Sequence, residues 1–110
     1  MEMVRGDEFK FKFKRETKTG ETITERPEKM YITFKFNDEN DALFQKTFDD
    51  GIEFDGEYYH VTINPEDTNK LPFGEIAYDI EIIKDNGKPK TLKVDKIEIT
   101  KEVTYACNEV

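Results

Sequence analysis

The sequence predicts an all-β fold, a sandwich or barrel of about seven to eight short antiparallel strands. Three observations carry that expectation. Several runs alternate apolar and polar residues with period two, the pattern of a strand with one dry and one wet face. Turn residues punctuate the chain roughly every 8–12 positions, and helical periodicity is nearly absent. Nine Phe and five Tyr, with many Val, Ile and Thr, supply β-forming side chains with large areas to bury. That aromatic content outweighs a charged share of 38%, which taken alone suggests disorder.

Each element has its own justification. Phe9, Phe11 and Phe13 point inward while Lys10, Lys12 and Lys14 point to solvent, where lysine discourages edge-to-edge pairing. Gly6 bends the chain into this first strand, and Asp7 keeps its start polar. A turn at Thr17–Glu21 precedes a brief strand at Thr22–Thr24. Lys29–Phe36 alternates again, with Met30, Ile32, Phe34 and Phe36 inward. Ala42–Phe48 and Ile52–Phe54 are shorter strands around Asp49-Asp50-Gly51, and Asp55-Gly56 is a hairpin signal leading into Glu57–Ile63. At most one helical turn is expected, near Asn64–Leu71, with Asn64 as cap, Pro65 at the first position and Glu66 and Asp67 at its positive end. Glu75–Lys84 puts Ile76, Tyr78, Ile80 and Ile82 on one face. Thr91–Thr100 starts with Leu92 and Val94 in phase and ends with Ile97 and Ile99 shifted by one, which places a bulge near Asp95. Residues 1–110 are one domain, with 104–110 a loose tail.

The net charge of −8 is unevenly spread: residues 1–35 carry +2, residues 36–86 carry −11 and residues 87–110 carry +1. The acidic middle repels phosphate backbones and anionic lipid, so neither nucleic acid nor membrane is expected as a partner. With Cys107 alone, no intrachain disulfide can form, which fits a reducing cytoplasm or a particle assembled there. Residues 1–20 lack the apolar core of a signal peptide.

Constellations for chemistry are sparse, and the expectation is that the protein is not an enzyme. His60 is the single histidine, on the outward face of a strand, and neither it nor Cys107 has a partner nearby in sequence. Asp49, Asp50, Glu53, Asp55 and Glu57 cluster around one turn, and Asp38, Glu39 and Asp41 occupy another loop. Their order does not follow that of a calcium-binding loop, so no metal and no cofactor is assigned. Tyr31, Tyr58 and Tyr105 are candidates for a carbohydrate platform, but there is no Trp to anchor a sugar. Arg5-Gly6-Asp7 spells a tripeptide that integrins recognise; its place two residues before Phe9 assigns it to the start of a strand instead.

A wider set of residues resembles a family. Arg5-Gly6-Asp7, the Phe9-Phe11-Phe13 strand, L-F-Q-K-T-F (Leu43–Phe48), Gly51-Ile52, the run from Thr62 to Glu81 and the closing I-T-K-E-V-T (Ile99–Thr104) carry the likeness. Together they resemble the small immunoglobulin-like domains of tailed phages and prophages of Gram-positive bacteria, such as the N-terminal domain of baseplate upper proteins. Two departures stand out: Ile76 and Ala77 follow Gly74 where aromatics are common, and no Gly interrupts the last strand near Val94-Asp95. The resemblance implies an immunoglobulin-like antiparallel sandwich and a structural role in a virion assembled in the bacterial cytoplasm. Its partners would be other virion proteins or further copies of itself, met through an edge strand or a sheet face. It carries over no catalytic residues. A surface adhesin or carbohydrate-binding module is the alternative.

Overall fold

A computed structural model describes residues 2–36, 42–69, 71, 73–84 and 87–100. Eight strands and one helical turn follow in the order β1 (Glu2–Val4), β2 (Phe9–Phe13), β3 (Lys29–Lys35), β4 (Ala42–Thr47), β5 (Ile52–Phe54), β6 (Tyr59–Ile63), α1 (Pro65–Thr68), β7 (Gly74–Ile83) and β8 (Pro89–Thr100). They form a five-stranded sheet, β1-β8-β7-β3-β4, facing a three-stranded sheet, β2-β6-β5. Every pairing is antiparallel except β1 on β8. In immunoglobulin lettering the small sheet is B-E-D and the large one is G-F-C-C′ with the first strand added beside G, so the fold is an immunoglobulin-like sandwich.

Period-two alternation explains the core. Met30, Ile32 and Phe34 of β3 and Ile76, Tyr78, Ile80 and Ile82 of β7 are buried, opposed by Tyr59, Val61 and Ile63 of β6 and Ile52 of β5. Each such side chain contributes about 1.5–3 kcal/mol by leaving water. Aromatic rings close the gap between the sheets: Phe11 of β2 meets Tyr78 of β7 with ring centroids 6.2 Å apart. That contact spans the B–F gap that antibody domains bridge with a disulfide. Phe13 and Phe54 stack on Tyr59 at 5.2 and 4.4 Å.

Four details depart from the sequence reading. The opening residues form a strand, β1, whose Met3 is buried against the core opposite Ile99. The first phenylalanine-rich run is therefore the second strand, and Arg5-Gly6-Asp7 is the turn between the two. Thr22–Thr24 makes no strand: Thr22 forms a single bridge with Glu16, and Ile23 N–H donates to the Arg15 carbonyl. The irregularity in β8 lies at Leu92, because Ile80 faces Lys93 while Glu81 faces Thr91. Val94 consequently points outward and is 69% exposed, whereas Lys93 and Asp95 share the inner phase with Ile97 and Ile99. The expectation failed because β8 extends past the cover of the small sheet, so its inward positions there need not be apolar.

The helical turn forms where cap chemistry placed it. Asn64 precedes Pro65, and Asp67 Oδ2 accepts the Asn64 backbone N–H at 2.8 Å. It carries the chain from the small sheet to the large one. Among the described residues no helix is long and apolar enough to cross a membrane, which says nothing of strands.

Candidate functional site

The outer face of the small sheet gathers the most polar chemistry. Register places Lys12 opposite His60 and His60 opposite Glu53, with Lys10 opposite Thr62. At the Asp55-Gly56 hairpin, Asp55 Oδ1 accepts the backbone N–H groups of Glu57 and Tyr58 at 2.8 and 2.7 Å, closing an Asx turn. Its other oxygen, Oδ2, lies 2.7 Å from His60 Nε2. The His60 hydrogen bond, followed by the two backbone donors, holds the Asp55 carboxyl down at about 2. Lys12 Nζ sits 4.5 Å from the centre of the Tyr58 ring and Lys14 Nζ 5.7 Å.

This corrects the expectation that His60 lacks a partner near in sequence: Asp55 is five residues away, and the hairpin folds it back onto the imidazole. The signal was present as an Asp at the turn and a His on the wet phase of the returning strand. A carboxylate that orients an imidazole is two-thirds of a nucleophile triad. The chain contains no serine, Cys107 lies outside the described residues, and both members of the pair are about half exposed. The same carboxylate closes the turn and contacts the imidazole, so the pair braces the hairpin.

The acidic turn does not assemble into one cluster. Gly51 and the three residues of β5 separate Asp49-Asp50 from Asp55, a span of up to roughly 16 Å in extended chain. Among the described residues no group of three or more His, Cys, Asp or Glu side chains could hold a metal ion. Asp38, Glu39, Asp41 and Tyr105 lie outside the described residues. Tyr31 belongs to a different surface, a shallow depression on the outer face of the large sheet with Thr33, Lys35, Gln45, Asp79 and Glu81.

The Arg5-Gly6-Asp7 tripeptide is built into the framework. The Arg5 guanidinium lies over the Phe73 ring at 4.0 Å, and its Nη1 donates to the Leu71 carbonyl at 3.2 Å. Gly6, at φ 84°, donates its N–H to Thr68 Oγ1 at 3.0 Å, and Thr68 is fully buried. An integrin ligand needs its Arg and Asp splayed on a free loop, and this Arg is held. Sequence reasoning also missed the buried ion pair beside it. Lys46 of β4 is 2% exposed and reaches Asp67 of α1 at 2.6 Å. Its signal was a lysine on the inward phase of a strand, two residues after Phe44.

The chain matches no protein-family model, no curated protein and no solved structure.

Proposed function

We propose that this protein is a non-enzymatic assembly module of a phage or prophage virion, a component of the tail, baseplate or fibre. The sequence resemblance supplies the virion. The observation that carries the assembly role is where the residues of that resemblance sit. Arg5, Gly6, Thr68 and Leu71 interlock the β1–β2 turn with the crossing between the sheets, so the motif serves the framework. Strand edges and sheet faces are then the surfaces left to meet other proteins. Among the described residues β2 and β5 each pair only with β6, and β4 only with β3, which leaves open edges on both sheets.

Immunogold labelling of purified particles from the source bacterium or its phage tests this reading. Label on tails or baseplates is the expected result, and label confined to the cell wall or to soluble extract rejects it. Neighbouring tail, portal or holin genes agree with the reading, while cell-wall anchoring genes oppose it.

One observation favours a carbohydrate-binding alternative. The depression on the large sheet is lined by Tyr31 together with Gln45, Asp79 and Glu81, an aromatic among hydrogen-bonding side chains. A glycan array probed with wild type and Tyr31→Ala decides: reproducible binding lost in the variant would replace the assembly reading.

A further inference from the structure

One side of the sandwich is open along a strand. β1 covers β8 only at Glu98–Thr100, so among the described residues the outer edge of β8 from Pro89 to Ile97 has no strand beside it. The outer edge of β2 is equally bare. Between the two runs a groove of about 310 Å³, floored by Phe13, Ile23, Ile80 and Leu92. It continues past Arg15 and Ile23 into a second hollow of about 370 Å³ toward Arg26 and Lys84. Lys14, Arg15, Lys90 and Lys93 rim the first part. Among the described residues six basic side chains line the two hollows against Glu16 and Glu25, with Lys93 also 3.5 Å from Asp95, in a chain whose net charge is −8.

We propose that this groove binds an extended acidic segment of a partner protein, which adds to the free edge of β8 as a further strand. The inference rests on the assembly reading and names the partner's chemistry. A strand edge offers unpaired N–H and C=O groups that only another extended backbone satisfies in register. The Asp95 carboxylate shows which way these groups point. Asp95 Oδ1 accepts the Lys96 N–H at 2.8 Å, so that N–H faces the open side, and the Val94 N–H two residues earlier faces the same way. On an incoming strand the inward carboxylates meet Lys90 and Lys93, which share the inner phase of β8, and the alternate apolar side chains lie beside the exposed Val94 on the outer face.

Charge also selects against other occupants. A second copy pairing through the same edge sets Lys90, Lys93 and Lys96 against their own counterparts. A nucleic acid finds no strand edge to satisfy and meets the field of an acidic protein. The lysines therefore deter indiscriminate pairing and admit a strand of opposite charge.

Fluorescence anisotropy at low salt tests the proposal. The probe is a labelled peptide of about ten residues alternating Glu with Val, compared with an all-Glu peptide and an oligothymidylate of equal length. Saturable binding of the Glu/Val peptide is expected, weakened about tenfold or more in Lys90→Glu/Lys93→Glu and in Val94→Pro. Val94→Pro removes one outward N–H and leaves the ladder to β7 intact. Should that variant misfold, slowed amide exchange at Val94 in the wild-type complex replaces it as the readout. Equal binding of the all-Glu peptide with no protection at Val94 overturns the added strand. Preference for the oligothymidylate, self-association lost in Val94→Pro, or no binding by any probe overturns the proposal as well. Peptide binding by a protein absent from particles counts against the assembly reading alone. A protein that enters particles yet ignores the peptide counts against the groove alone.

Discussion

Two aspartate side-chain contacts of nearly equal length sit in opposite surroundings. Asp67 meets Lys46 at 2.6 Å under the crossing between the sheets, with the lysine side chain 3% exposed. Asp55 meets His60 at 2.7 Å on the outer face of the small sheet, with both side chains close to half exposed. Distance does not separate them, but burial does. An ammonium taken out of water depends on its partner and has no solvent to fall back on, whereas an exposed pair exchanges its contact for hydration at little cost. The first pair therefore works as a structural lock and the second as a local brace on a hairpin.

Removing the partner of the buried charge breaks the comparison most sharply. Asp67→Ala strands the Lys46 ammonium and removes the acceptor of the Asn64 N–H, at an expected cost of about 3–5 kcal/mol in urea unfolding. Lys46→Met retains the packing of the aliphatic stem and leaves only Asp67, which reaches solvent and keeps its backbone donor. Its expected cost is smaller, below about 2 kcal/mol. Equal losses in the two variants would mean that the charge itself contributes nothing.

Gly51 tests the same lock from below. Its φ is 101°, and a Cβ there would lie 2.6 Å from Lys46 Cδ and 3.0 Å from the Thr62 carbonyl oxygen. Gly51→Ala should cost about 2–3 kcal/mol, part from backbone strain and part from displacing the lysine stem. Made in the Lys46→Met background, the substitution still clashes with an unbranched chain. Made with Lys46→Ala, it loses that contact, and the added penalty should fall to the backbone share.

Beneath the exposed face, the core holds a polar atom with no partner. The Tyr59 hydroxyl is buried and unbonded among the described residues, although its ring is stacked between Phe13 and Phe54. Tyr59→Phe keeps the ring and relieves the desolvated hydroxyl, so it should stabilise the protein by about 1 kcal/mol, read as a raised melting temperature. A loss instead would point to a bonded hydroxyl in solution.

How much of this was legible in the sequence depends on how local each signal is. The inward rows of β3 and β7 were readable because Met30-Ile32-Phe34 and Ile76-Tyr78-Ile80-Ile82 repeat the period themselves. The helical turn was readable because Asn64, Pro65 and Asp67 carry their cap chemistry within four residues. β1 was not, since three residues define it only through a parallel partner at Glu98–Thr100. The bulge was misplaced because Lys93 and Asp95 occupy inward positions on the open side, where apolar phase no longer reports the face. Likewise the His60–Asp55 contact and the Arg5 anchor depend on hairpin register and on a corner 66 residues away. The candidate surface was therefore less visible than the core: alternation marks which residues leave water, and only folding decides which of the others meet.

The smallest effect sharpens the comparison by pH. The Asp55 carboxyl is held at about 2, below its ordinary 3.8, by His60 and the two turn N–H groups. A depressed folded-state value means that the carboxylate's contribution is complete above the ordinary value and disappears as pH falls through the folded one. The window accordingly runs from about pH 4 down to about pH 2. Asp55→Asn cannot titrate there, so the gap in melting temperature between wild type and variant should be constant above pH 4 and narrow toward pH 2. Added salt should shrink the His60 share of that gap while leaving the backbone share, because the exposed pair is screened and the short Asx contacts much less so. A gap independent of pH across this window would mean that Asn reproduces the turn as well as the carboxylate does. In that case the hairpin geometry, and not the charge, is what Asp55 contributes.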